Sequence, residues 1–413
     1  MSASPLRLSS APYTLPLSHE INTSTTSAAT RSGWRVTLHH AGSGLTGWGE
    51  AASWPGFGGS APLSQATLDA LCDPQHPALT ALSELPLTHP SEVLSLEALK
   101  LACAHVPCRE ARHALELAAL DLSARAAGLP LARHLTTLLA QHLTHPSPAF
   151  TSQLAPMSAP THALIRSLSD AKSALVQGYS ALKLKVGVSP LWAEEGLKVA
   201  QLRALLDREA PHVELRLDAN GAWWPHDALA ALIVANVYEV SWVEEPLQPE
   251  VLEREGAEAW RHLTQHKVAP IGIDERLCVA RDPHNTLLSA LEAGVRVVTL
   301  KPMFLGGLIT TAELAARAHN AGARLCLTHA LEGAVGRRGA AHLCVALNAL
   351  GVHTEGGLEG ALVGDLLPAL KVRSGRVLLT EEAGIGQLPS QLPSQLPSHI
   401  SQSSQAHLKG EIS

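Results

Sequence analysis

Five short apolar runs, each ending in a charged side chain, follow one another at nearly even spacing through the middle of this 413-residue chain. They are Tyr179–Gly187, which carries Lys183 and Lys185, then Val213–Asp218, Val240–Glu244, Ala269–Asp274 and Val295–Lys301. From Lys185 to Asp218, Glu244, Asp274 and Lys301 the steps are 33, 26, 30 and 27 residues. A (β/α)8 barrel of roughly 250 residues allots about 30 to each strand–helix unit and places its chemistry at the C-terminal strand ends. A strand buried on both faces reads as a near-continuous apolar run, and charge inside one is costly unless partnered. One such ending would be ordinary surface solvation, but five in register describe a common pocket mouth. Lys183 and Lys185, two apart on a strand, face the same way.

The rhythm extends in both directions. A first strand is expected at Thr151–Met157, and a helix over 166–177 ends at Gly178, where a C′ glycine belongs. A seventh strand, Ala323–Thr328, is followed by His329, and a short eighth run lies near Gly351–Thr354. Before residue 145 the pattern changes. Trp34–His40 alternates and Gly44–Ala52 continues it, which predicts an antiparallel meander. Helices follow at about 62–72, 92–106 and 108–127, the last with Leu115, Ala118, Ala119 and Leu122 on one face. The loop Trp54–Ser60 has the composition of a mobile turn, a type that often covers active sites. After the barrel, Val372–Leu379 predicts a hairpin that could return to the first domain. The tail from Gln387 repeats Gln-Leu-Pro-Ser and has too little to bury to offset ordering entropy, so disorder is expected there.

Composition excludes several classes. A formal charge of −6 with no basic run argues against nucleic acid. No stretch approaches 18 uninterrupted apolar residues and no apolar leader is evident, so neither a membrane span nor secretion is expected and a cytoplasmic location is. The six cysteines show no C-x-x-C spacing and read as reduced, packed thiols. The 22 histidines form no paired ligand spacing.

The motifs Lys183-Leu-Lys185, Asp218-Ala-Asn220, Glu244-Glu-Pro246, Asp274-Glu275 and Lys301-Pro302, in this order, resemble the enolase superfamily in its muconate-lactonizing-enzyme-like branch. Gly47-Trp-Gly-Glu-Ala-Ala52 with Pro55-Gly-Phe57 is most similar to the o-succinylbenzoate synthases. His113–Asp121 resembles the capping helix common to the superfamily. The resemblance covers about residues 10–386. It implies an α/β fold: a (β/α)7β TIM-like barrel (149–356) and an α+β capping domain formed by residues 1–148 and a returning segment, 357–386, with 387–413 as the tail.

Asp218, Glu244 and Asp274, on adjacent strand ends, make an oxygen-rich site suited to Mg²⁺ (or Mn²⁺). The proton α to a carboxylate is a very weak acid, because its removal leaves a dianionic enediolate. A bound dication and a nearby ammonium can absorb that charge. A base must be uncharged to act, and an amine is discharged more readily beside a second ammonium and a metal. The resemblance implies that Lys185 removes the α proton of a small carboxylate substrate. It also implies that Lys301, across the barrel, stabilises the enediolate and that Lys183 supports the field around Lys185. The dehydration of 2-succinyl-6-hydroxy-2,4-cyclohexadiene-1-carboxylate is the expected reaction. Racemases and epimerases of N-acylamino acids or dipeptides share these charges, and a Schiff-base lyase on a TIM barrel is a third reading. Arg216, two before Asp218, is expected in the barrel interior beside a ligand carboxylate. Asn220 either binds a ligand or shapes the turn. Glu245 and Glu275, next to ligands on opposite faces, are expected behind the site. His329 stands where the mandelate-racemase-like branch has its base, but the matching aspartate is replaced by Lys301. Arg216, Asn220 and His329 complete the candidate substrate-binding set. Nothing in the sequence gives the oligomeric state.

Overall fold

A computed structural model describes residues 5–387 apart from 23–26, 55–56, 58–60, 90–93, 144–155, 189–191 and 360–361. The expected tail, from Leu388 on, and most of the expected first strand, 151–155, lie outside the described residues.

Three antiparallel strands open the chain: β1 (Leu6–Asn22), β2 (Ser27–His40) and β3 (Thr46–Ala51), paired in that order. The expected meander comprised only β2 and β3. The long β1 contains Pro12 and Pro16 and belongs to an edge, where proline's missing N–H is tolerated. Five helices follow: α1 (Gln65–Leu71), α2 (Pro77–Ser83), α3 (Leu96–Ala104), α4 (Arg109–Ala126) and α5 (Leu131–His142). Ser64 and Ser95 cap α1 and α3 by accepting the N–H groups of Thr67 and Ala98. β3 lies directly on α4. A Cβ added at Gly47 would stand 2.0 Å from the Ala118 carbonyl oxygen, and one at Gly49 would stand 1.9 Å from that of Ala114. Only glycine permits that approach.

β4 (Ser158–Pro160) precedes an eight-stranded parallel sheet: β5 (Ala163–Ile165), β6 (Ala181–Lys185), β7 (Glu214–Asp218), β8 (Trp242–Glu244), β9 (Ile271–Ile273), β10 (Val297–Leu300), β11 (Arg324–Thr328) and β12 (Thr354–Gly357). Sequence order is spatial order, and a parallel bridge between Thr161 and Gly356 closes the ring. The first barrel strand is therefore β5, downstream of the expected segment; it is too short to show a periodicity. The eighth begins where the expected run ended, because Gly351, at φ 80°, finishes the preceding helix. β6 and β10 stand four places apart in a ring of eight, on opposite sides.

The N-terminal mouth of the barrel is plugged by charge. Arg216 is buried, donates to Glu214 (2.7 Å) and Glu355 (2.6 Å), and stacks on Trp242 at 4.0 Å. The hairpin of β13 (Lys371–Arg373) and β14 (Arg376–Leu378) pairs with β4, not with the first domain. The return is made a few residues later: Leu131 donates to the Gly384 carbonyl (2.8 Å), and Asp121 on α4 accepts the Ile385 N–H (2.7 Å). The buried polar residues of α4 tie it to the barrel by backbone contacts. Arg109 donates to the Cys278 carbonyl (2.9 Å), and Glu116 accepts the Ile309 N–H (3.0 Å). On the outer surface, Glu313 of the barrel helix Leu308–Asn320 receives Lys100 of α3 (2.5 Å) and His142 of α5 (3.0 Å). No described helix is long and apolar enough to cross a membrane.

Candidate active site

At the C-terminal face of the ring lies a cavity of about 370 Å³. Strand ends contribute Lys183 and Lys185 (β6), Asp218 (β7), Asp274 and Glu275 (after β9), Lys301 (after β10) and Thr328 with His329 (β11). Trp54 and Phe57 from the capping domain roof it. Both belong with Leu17, Phe304 and Ala330 to a small apolar cluster separate from the main core.

Lys183 Nζ bridges Asp218 Oδ2 (2.9 Å) and Glu244 Oε1 (2.8 Å). Burial alone would discharge it, but Asp218 and Glu244 hold its pKa well above the usual lysine value. Lys301 Nζ donates to Asp274 Oδ2 at 2.5 Å and lies 4.6 Å from the centre of the Phe57 ring. Burial opposes its charge and Asp274 and Glu275 outweigh that, so its pKa is raised. Lys185 is different: its ammonium has no hydrogen-bond or ion-pair partner among the described residues.

The acids crowd one another. Burial, then Glu275, pushes the Asp274 carboxyl well above the usual carboxylate range against the pull of Lys301. The same two causes raise Glu245 to about 8. Asp218 goes the other way: burial would raise it, and Lys183 and Lys185 bring it below the ordinary value. Each acid of the expected trio keeps an oxygen that a cation could take. Glu244 Oε2 is buried with no partner. Asp218 Oδ1 accepts the Asn220 N–H at 3.2 Å, and Asp274 Oδ1 meets the Cys278 thiol at 3.9 Å. Buried excess negative charge, hard oxygen donors and an orphaned carboxylate oxygen fit a hard dication such as Mg²⁺. The trio is nonetheless not drawn together as a finished cage. The set of three ligand atoms within 4.8 Å of one another among the described residues is Glu97, His142 and Glu313, on the outer surface. The Lys183 ammonium sits between Asp218 and Glu244, while the Glu244 carboxylate lies against that of Asp274 and helps to raise its pKa.

Three expectations are corrected here. Arg216 does face the barrel interior, but it pairs with Glu214 and Glu355 at the opposite end and does not line the cavity. Its long side chain runs back toward the strand starts, where two acids and the Trp242 face await it. Glu275 does line the cavity, because strand alternation stops at Ile273 and Glu275 begins a short helix, Glu275–Val279. It accepts from Asn220 Nδ2 (3.0 Å), and its Oε2 is buried and unpartnered. His329 lines the cavity but has no nitrogen to spare: Nε2 donates to the Glu359 carbonyl (2.5 Å) and Nδ1 accepts the Leu331 N–H (3.0 Å). Burial, then Arg337, lowers its pKa to about 3, so it is a neutral brace for the 329–331 turn. Asn220 lies on the wall at φ 47°, a left-handed conformation that asparagine tolerates in turns. Glu245 stays behind the site and accepts the Asp274 N–H at 2.7 Å. His162, Arg166 and Glu359 line the cavity without any motif that would have disclosed them.

The ring of strands and the charges at its mouth define an enzyme-type barrel, and comparison with known proteins gives its family. Residues 166–390, more than half of the chain, match the family model described as enolase C-terminal domain-like. The chain belongs to the enolase superfamily. It is 26% identical over 223 residues to an L-Ala-D/L-Glu epimerase of Clostridium acetobutylicum, covering 52% of this chain and 58% of that one. It is 31% identical over 169 residues to an o-succinylbenzoate synthase of Klebsiella pneumoniae, covering 40% and 47%. The match thus spans about half the length of such curated relatives. A muconate lactonizing enzyme from Pseudomonas fluorescens, solved with muconolactone, shares the fold at a TM-score of 0.71 and 20% identity, over 94% of this chain and 97% of the other.

Proposed function

We propose that this protein is an o-succinylbenzoate synthase, a metal-dependent carbon–oxygen lyase acting in menaquinone biosynthesis on 2-succinyl-6-hydroxy-2,4-cyclohexadiene-1-carboxylate. One observation carries the reading: the two amines facing each other across the cavity are not equivalent. Lys301 is tied to Asp274 and faced by an aromatic ring, an environment that favours a fixed cation. Lys185 has no hydrogen-bond or ion-pair partner among the described residues and so is available to take and return a proton. A one-base elimination needs this asymmetry, whereas racemisation through two opposed bases needs both amines free to exchange protons.

Asp218, Glu244 and Asp274 would hold Mg²⁺ or Mn²⁺, and the ion would supply positive charge to the substrate carboxylate as the enediolate develops. Lys185 takes the proton from the carbon α to that carboxylate. Lys301 offers its ammonium to the charge that moves onto the carboxylate oxygens. The hydroxyl on the neighbouring ring carbon then leaves with the proton Lys185 has gained, as water, and the ring becomes aromatic. Lys183, offsetting part of the charge of Asp218 and Glu244, keeps the acid cluster from charging beyond what the pocket tolerates. The cavity's apolar wall, with Leu164, Trp54 and Phe57, suits a ring.

An o-succinylbenzoate assay with added Mg²⁺, repeated with EDTA, tests the reading. Product formation that EDTA abolishes is expected. Absence of product together with deuterium exchange at Cα of N-succinylamino acids or L-Ala-L-Glu in D₂O would replace it with the epimerase reading, which the Clostridium relative supports. Activity that survives EDTA, with borohydride trapping of an adduct, would point to a Schiff base.

A further inference from the structure

Among the described residues, four cationic side chains line the cavity: Lys183, Lys185, Lys301 and Arg166. Two are neutralised by acids, as described above, and Lys185 is assigned to proton transfer. Arg166 remains. It directly follows β5, the neighbour of β6, and since Ile165 lies opposite Leu184 it stands level with Lys185, one strand over. Its side chain is exposed at the rim. Two acids that line the same cavity are already engaged: Asp170 accepts the N–H groups of Arg166 and Ser167 as part of a capping box, and Glu359 accepts the Tyr179 hydroxyl. The guanidinium therefore has no hydrogen-bond or ion-pair partner among the described residues. An arginine held on a rigid strand end, beside the reacting amine and lacking an acid, is suited to a planar anion, which it can grip with two parallel hydrogen bonds.

We propose that Arg166 anchors a second carboxylate of the substrate, remote from the reacting one, so that the enzyme takes dicarboxylates. The inference rests on the reading of the cavity as an enolising site. It extends that reading by assigning the succinyl end of the substrate to the rim beside β5. Substrates with a neutral or ammonium-bearing remote end would leave the guanidinium unanswered.

The test is binding by the full-length protein in Mg²⁺ buffer, using two matched pairs: o-succinylbenzoate against 2-butyrylbenzoate, and N-succinylphenylalanine against N-butyrylphenylalanine. Each pair differs by the remote carboxylate alone. Loss of a charge-assisted pair weakens binding by about 10- to 100-fold. The expected result is that R166Q loses this factor for the succinyl member of at least one pair and not for its butyryl partner, with R166K recovering part of it. Equal effects of R166Q on both members of each pair, or none on either, overturn the proposal. Because binding is read without turnover, a failed synthase assay beside a charge-selective R166Q defect would reject the reaction and keep the anchor. Product formation with no such selectivity would do the reverse.

Discussion

The two walls of the cavity are built on different principles. On the β10 side the ammonium is answered: Lys301 by Asp274, with the Phe57 ring 4.6 Å from it. On the β5–β6 side Lys183 is paired, but Lys185 and Arg166 have no hydrogen-bond or ion-pair partner among the described residues. The lesson is that identical side chains on symmetric strands are given opposite surroundings by their neighbours. In the proposed mechanism the paired and capped lysine serves as the fixed positive charge and the unpartnered one as the proton carrier.

The contrast can be broken most decisively at Lys185. Lys185→Ala removes the only proposed base, and kcat should fall by about 10²- to 10⁴-fold in a steady-state assay. A loss below tenfold would show that the bare amine is idle. Glu244→Gln comes next. It removes charge from the proposed ion site and from the Lys183 contact, so kcat should drop by about 10²-fold or more at fixed Mg²⁺, with a higher Mg²⁺ requirement in titration. Lys301 gives a sharper comparison: Lys301→Arg keeps a cation and should lose about tenfold or less, whereas Lys301→Ala should lose about 10²- to 10³-fold. If both collapse alike, Lys301 is a second base and the walls are equivalent after all. Phe57→Leu should cost a few-fold in kcat/KM, in line with a cation–π contact of about 0.5–1 kcal/mol.

The smallest effect concerns His329. Its pKa in the fold is lowered to about 3, below the unfolded value near 6.5. The neutral form is thus favoured by folding, and its stabilising contribution is present above pH 6.5 and lost as pH falls toward 3. Buried His113 and His342, also near 3, add to the same slope, through burial first in each case. Melting temperature should therefore decline on acidification from pH 7 to 4. His329→Gln should flatten that decline slightly while leaving the acid limb of kcat/KM in place; a vanished limb would make His329 catalytic.

How much of this was written in the sequence follows from the same physics. The strand-end charges were legible because burial makes a charge in an apolar run expensive, so each one had to be accounted for. β5 was not, since so short a strand carries no period. Arg216 was placed on the correct face and at the wrong end, because alternation fixes the face and says nothing of where a long side chain reaches. Glu275 escaped because alternation ends where a helix begins. Arg166 and Glu359 follow short strands and belong to no motif, so only their shared cavity reveals them.

The contact between β3 and α4 has one more consequence. Hydrogen alone separates the two backbones at Gly47 and Gly49, so sheet and helix are locked like gear teeth with no play. The segment bearing Trp54 and Phe57 leaves β3 within a few residues of that lock. A substitution at Trp54 or Phe57 therefore reshapes the cavity wall without touching the glycine contact that anchors the strand before it.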